Sequence, residues 1–178
     1  MQINLISKDG SKYEVSWEAA QLSELIQIMV VYESEDEDED EDEKKLQDIP
    51  LPNITGDVLA KVIEFCQHQA DYKDWVGKAE DILLNKSGNI IVPDWYATYI
   101  VQVDDEMLVK LIEGATYLDI FQLKKLALAK VASKMFGKTP QEICDMFGIV
   151  NDFTPAEQII IENQNRWDES PPDGETKN

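Results

Sequence analysis

From Glu33 to Glu43 the chain reads ESEDEDEDEDE, acidic at every position except Ser34. Such a run repels itself and has nothing to bury, so the fold has to be built from the segments flanking it, and the run itself is expected as a mobile loop. The charge is not confined to it. The whole chain carries 36 acidic against 16 basic residues for a net charge of −20, and it stays acidic without the run. That balance repels phosphate backbones and anionic lipid surfaces at long range, so neither nucleic acid nor a membrane is an expected partner.

Domains usually run to roughly 100–150 residues, so 178 residues suggest one domain with an appendage. Apolar residues make up 43% of the chain, with four Trp, six Tyr and five Phe, enough for a real core. Cys66 and Cys144 lie far apart and share no metal-like spacing, which reads as two buried thiols. Lys8 and Asp9 interrupt the first apolar run, and no stretch of ~20 apolar residues could span a bilayer. The expected compartments are cytoplasm and nucleus.

The first segment alternates, with Ile3 and Leu5 on one side and Asn4 and Ile6 on the other. "KYEVSW" resumes the alternation after Asp9-Gly10, a two-residue turn signal, so a hairpin is expected. From Trp17 the period becomes helical through Leu22, Leu25, Ile26, Met29 and Val30. After the acidic run, Pro50 and Pro52 hold "QDIPLPNI" extended. Thr55 then caps a helix with Val58, Leu59, Val62, Ile63 and Cys66 facing inward. Residues 69–103 read as an ordered insertion, broken by Gly88 and Pro93, that ends in a short helix or strand near Trp95 to Val103. Asp104 opens a helix whose face carries Leu108, Leu111, Ile112 and Ala115 and which stops near Tyr117. Asp119 is expected to cap the next, with Leu123, Leu126, Ala127, Val131 and Met135 inward and Gly137 at its end.

Two near copies of one helix opening follow, Thr139-Pro140-Gln141-Glu142 and Thr154-Pro155-Ala156-Glu157. Each offers a hydroxyl cap, a proline suited to the first helical position, and a glutamate able to close a capping box. Caps worth ~1 kcal/mol help short helices persist with little tertiary support, as an appendage requires. Their apolar residues exceed what a surface helix needs. Ile143, Met146, Phe147, Ile149, Val150 and Phe153 crowd the first, and Ile159 to Ile161 sweep ~200° of the second. Part of that surface is expected to meet another chain.

Chemistry is sparse. His68, the single histidine, has no ligand or triad partners at suitable spacing and reads as a surface residue. Gly88-Asn89 and Asp9-Gly10 are turns rather than phosphate loops. No catalytic residue, metal or cofactor is expected.

Taken together, "INLISKDGSKYEV", the acidic loop, "IPLPNITGDVLAKVIEFCQHQ", "GATYLDI", "GKTPQEICDMFGIVNDFTPAE" and "ENQNRW" carry a resemblance along almost the whole length. In this order they resemble the Skp-one (S-phase kinase-associated) adaptor family, the subunit of SCF ubiquitin ligases that joins F-box proteins to a cullin. The resemblance implies an α+β chain: a BTB/POZ fold over residues 1–120 (acidic loop 33–43, insertion 69–103), F-box-binding helices over 121–168, and a flexible tail over 169–178. It implies F-box contacts at Val131, Phe147, Ile149, Asn151 and Trp167, and cullin contacts at Thr116 and Tyr117. Where the family has Asn-Tyr-Leu-Asp, this chain has Thr116-Tyr117-Leu118-Asp119, and Phe121, Lys124 and Lys125 replace smaller or apolar family residues.

Two alternatives compete with that reading. An elongin-C-like adaptor lacks the C-terminal helices, so residues 138–167 argue against it. An acidic chaperone for basic proteins would use the run at 33–43 instead.

Overall fold

The computed structural model describes residues 2–34, 47–73, 83–150 and 153–164. Positions 35–43 of the acidic run and the expected tail at 169–178 lie outside the described residues. Glu33 and Ser34, the first two residues of the run, belong to a helix. The chain divides into two compact units, Met1–Phe136 and Gly137–Asn178.

The first unit begins with β1 (Gln2–Ser7) and β2 (Lys12–Ser16), an antiparallel pair in which Ile3 faces Val15 and Leu5 faces Tyr13. Ile3, Leu5 and Ser7 are buried while the residues between them are not, so the alternation read from sequence holds. The turn is one residue longer than expected. Gly10 N–H donates to Ser7 O and Ser7 N–H to Ser11 O, both at 3.0 Å, enclosing Lys8-Asp9-Gly10. Gly10 sits at φ +81°, the left-handed position of a three-residue hairpin loop, where a side chain would be strained.

A third strand, β3 (Gln47–Leu51), runs parallel to β1 with Leu5 opposite Ile49, giving the order β2-β1-β3. Pro50 is tolerated because β3 is an edge and Pro50 points outward. Ile49 and Leu51 are fully buried, and on the open face Asp48 joins Asn4 at 2.7 Å and Lys12 at 2.8 Å. One face of the sheet is therefore core and the other polar.

Helices cover the core face. α1 (Trp17–Ala20) is capped by Ser16, and a break at Gln21–Ser23 separates it from α2 (Glu24–Ser34), so the expected helix is two. α3 (Gly56–Tyr72) buries Val58, Leu59, Val62, Phe65 and Cys66; Phe65 takes the place expected for Ile63, which is half-buried. Thr55 occupies the N-cap position of α3, but its hydroxyl turns to Asp57 and caps no backbone N–H. That work is done from the hairpin, where Asp9 accepts from Gly56 N–H at 3.1 Å.

Within the expected insertion, α3 runs on to Tyr72, residues 74–82 fall outside the described set, and a Leu84–Ile90 bridge closes a small turn. α4 (Asp94–Val101) follows and buries Tyr96, Tyr99 and Ile100. Tyr99 donates to Lys61 O at 2.8 Å, and burial pushes its hydroxyl pKa up. His68 is not the free surface residue that was expected. It is half-buried and stacks on Trp95 with ring centres 3.7 Å apart and on Tyr72 at 4.5 Å, because α4 brings Trp95 against the end of α3.

α5 (Asp105–Tyr117) starts on Asp104, which accepts from Met107 N–H at 2.8 Å, and packs against α6 (Phe121–Met135). Leu123 and Leu126 of α6 are fully buried, each contributing roughly 1.5–3 kcal/mol. α6 thus packs into the first compact unit, and the two compact units part at Gly137. Lys130 fastens α4 to α6, its ammonium donating to Ile100 O at 2.7 Å and also to Val103 O.

The second unit holds α7 (Pro140–Phe147) and α8 (Pro155–Gln164). Both openings are capping boxes. Thr139 N–H donates to Glu142 at 2.7 Å while Glu142 N–H returns to Thr139 Oγ1 at 3.3 Å; Thr154 and Glu157 repeat this at 2.9 and 3.4 Å. Among the described residues no helix is long and apolar enough to cross a membrane.

Candidate interaction surfaces

The end of α5 is a tightly specified corner. Ile120 N–H donates to Ala115 O at 2.9 Å and Asp119 N–H to Thr116 O at 3.2 Å, with Asp119 at φ +50°. Those two bonds are a Schellman ending, in which the residue after the cap is left-handed, a conformation aspartate tolerates better than most. Asp119 therefore ends α5 and does not cap α6 as expected: Ile120 occupies that cap position, and the Asp119 carboxylate lies 3.6 Å from the ammonium of Lys124. Leu118 and Ile120 plunge into the core at 0% and 1% exposure. Between these anchors the corner turns Thr116 outward and leaves Tyr117 half-buried against the core. The Thr116 hydroxyl donates back to Ile112 O at 2.7 Å.

Close in sequence, Phe121 opens α6 with 39% of its surface exposed and the ammonium of Lys125 5.8 Å from its ring centre. Val131, on the same helix, is half-buried and packs on the core. One α5–α6 pair thus carries the sequence-nominated Thr116, Tyr117 and Val131.

In the second unit the apolar surplus is real. α7 has no buried residue, and Phe147 and Ile149 are exposed at 43% and 55%. Val150, Phe153, Ile159 and Ile160 are likewise exposed. Ile149 N–H donates to Cys144 O at 2.8 Å and Gly148 is left-handed, so α7 stops as sharply as it starts. The Thr139 backbone N–H holds the Glu142 carboxyl below the usual glutamate range; the Thr154 hydroxyl does the same for Glu157. Cys144 is half-buried, not buried as expected, because α7 is only partly covered on the side of Ile143 and Met146; Cys66 is buried and its thiol is pushed up to about 12. Asn151 and Trp167 lie outside the described residues.

Ser23 was not nominated from sequence, although a serine one residue before Glu24-Leu-Ile is an N-cap signal. It is 1% exposed, accepts from Ile26 N–H at 3.2 Å, and donates to Leu118 O at 2.5 Å.

A small one-faced sheet under a helical cover, followed by self-capped helices that leave apolar side chains exposed, defines an α+β protein with apolar surface to spare. Comparison with known proteins gives that class its family. Residues 1–71 match the Skp1 family tetramerisation domain and residues 122–168 the Skp1 family dimerisation domain. SKP1-like protein 4 of Arabidopsis thaliana is 36% identical, the alignment covering 93% of this chain and 94% of that one. The E3 ubiquitin ligase complex SCF subunit sconC of Talaromyces stipitatus is 36% identical over 94% of this chain and 97% of its own. Suppressor of kinetochore protein 1 of Schizosaccharomyces pombe is 37% identical over 94% and 98%. The chain belongs to the Skp1 family, and its first unit has the α+β, POZ-type fold expected from the sequence.

Proposed function

We propose that this chain is the adaptor subunit of an SCF-type ubiquitin ligase, bridging F-box substrate receptors to a cullin scaffold for ubiquitin-dependent protein degradation. The observation that carries the reading is α7, a helix with its own start and stop signals and no buried side chain, in a family whose named members include SCF subunits. Large apolar surfaces of this kind are partner surfaces. The adaptor is non-catalytic and works in cytoplasm and nucleus. Residues 121–168 make the F-box-binding module, with Val131, Phe147, Ile149, Asn151 and Trp167 in contact. Thr116 and Tyr117 meet the cullin.

Reconstitution tests this directly. Purified chain, an F-box segment and a cullin N-terminal region should co-elute as one ternary species whose mass by light scattering is the sum of the three. Separate elution of the F-box segment, or of the cullin region in its presence, overturns the corresponding half of the reading.

A further inference from the structure

The last carbonyls of a helix have no partner within it and need one from elsewhere. At the end of α5, Ala115 O and Thr116 O are served by the Schellman bonds from Ile120 and Asp119. Leu118 O is served from another part of the chain. The donor is the Ser23 hydroxyl, 95 residues earlier in sequence, which also accepts from Ile26 N–H and so begins α2. One buried hydroxyl is therefore both the start of α2 and a strut under the corner that carries Thr116 and Tyr117. Its neighbours make the strut stiff: Leu118 and Ile120 are fully buried on either side of the left-handed Asp119. Ala19, Ile26, Cys66, Leu118 and Ile120 share an apolar wall with it.

We infer that Ser23 is a positioning residue for cullin binding, its hydroxyl holding the α5 corner so that Thr116 and Tyr117 are presented in one arrangement. The inference rests on the reading of that corner as the cullin contact. Ser23 touches no partner itself. Without the bond, Leu118 O is left buried and unpaired, and the corner is free to shift to find water. The partner then has to re-form the corner on binding, and affinity falls by the population of the wrong arrangement.

The test compares Ser23→Ala, Ser23→Thr and Ile3→Val, the last a core truncation in β1 that leaves the corner untouched. Calorimetric titration with a cullin N-terminal region should show Ser23→Ala weakened by about tenfold, the scale of one lost buried hydrogen bond. Ser23→Thr, which keeps the hydroxyl, should bind within about twofold of the parent. Ile3→Val should do the same, and F-box affinity should be unchanged in all three. Amide exchange at Asp119 and Ile120 should quicken in Ser23→Ala and recover in Ser23→Thr. Parent-like cullin affinity in Ser23→Ala overturns the inference alone, as does equal weakening in Ile3→Val, which would reduce Ser23 to general stability. A parent chain that binds no cullin overturns the reading beneath it as well.

Discussion

The carboxylate of Asp9, in the first hairpin, accepts a hydrogen bond from the backbone N–H of Gly56 at 3.1 Å and so caps a helix 47 residues further along. The Ser7 hydroxyl, and then this Gly56 N–H, hold the Asp9 carboxyl at about 2, below its ordinary 3.8. The folded state thus takes up this proton less readily than the unfolded chain. The stabilisation is fully present above pH 3.8 and is lost as pH falls through about 2. Urea unfolding between pH 5 and pH 2 should lose a component of its acid slope in Asp9→Asn. A slope unchanged by the substitution would remove Asp9 from the account.

Gly56 is where that hairpin comes closest to α3. A methyl group there would meet Ser11 Oγ at 2.8 Å and the Asp9 carboxylate at 3.1 Å, so Gly56→Ala should disturb the cap although alanine favours helix. Its thermal midpoint should fall by a few degrees, and Asp9→Asn in the same chain should add little more. Fully additive losses would separate the two residues.

Tyr117→Ala should weaken cullin binding and spare the F-box, since the ring is half-buried at the corner and offers an aromatic body with a hydroxyl handle. Thr116→Asn, which restores the family residue, should strengthen cullin binding or leave it unchanged. The present threonine hydroxyl is committed to Ile112 O. Titration of both variants with cullin and F-box segments separates these outcomes, and joint loss of both partners in Tyr117→Ala would reassign the residue to the core.

Phe147 is 43% exposed, so Phe147→Ala should change the free chain's stability by less than about 1 kcal/mol. The same change should cost F-box binding up to the ~3–5 kcal/mol of a core phenylalanine truncation. Amide exchange should be fast over 139–164 in isolated chain and slow there once an F-box peptide is added, with little change in residues 2–34. A Phe147→Ala chain that binds at full strength would return these helices to a plain folded tail.

What the sequence announced was local. The alternation of Ile3 and Leu5, the Asp104 cap and both Thr-Pro-x-Glu openings are written within a few residues, and the structure has them all. What it concealed depends on distant partners. Nothing near Gln47 says that β3 will run parallel beside β1, nothing near Thr55 says that Asp9 will take over its cap, and nothing near His68 announces Trp95. Asp119 misled for a related reason: before a helix an aspartate reads as a cap, and only the bonds to Ala115 and Thr116 show it closing the preceding one. Of the nominated contacts, Thr116, Tyr117 and Val131 came from family resemblance, spacing marking Val131 as core, whereas Phe147 and Ile149 also stood out as apolar residues in excess of what a short helix needs.

The capping boxes at Thr139 and Thr154 have a kinetic consequence. A short helix without them has to nucleate on its partner, and nucleation is the slow, improbable part of helix growth. Here the first turn of each helix is already closed by residues that carry no part of the apolar face. On the proposed reading, an F-box segment docking here meets first turns that are already closed, so the ordering of each helix has only to propagate from its start. A threonine, a proline and a glutamate make each of these starts, and the apolar side chains are left free of that task.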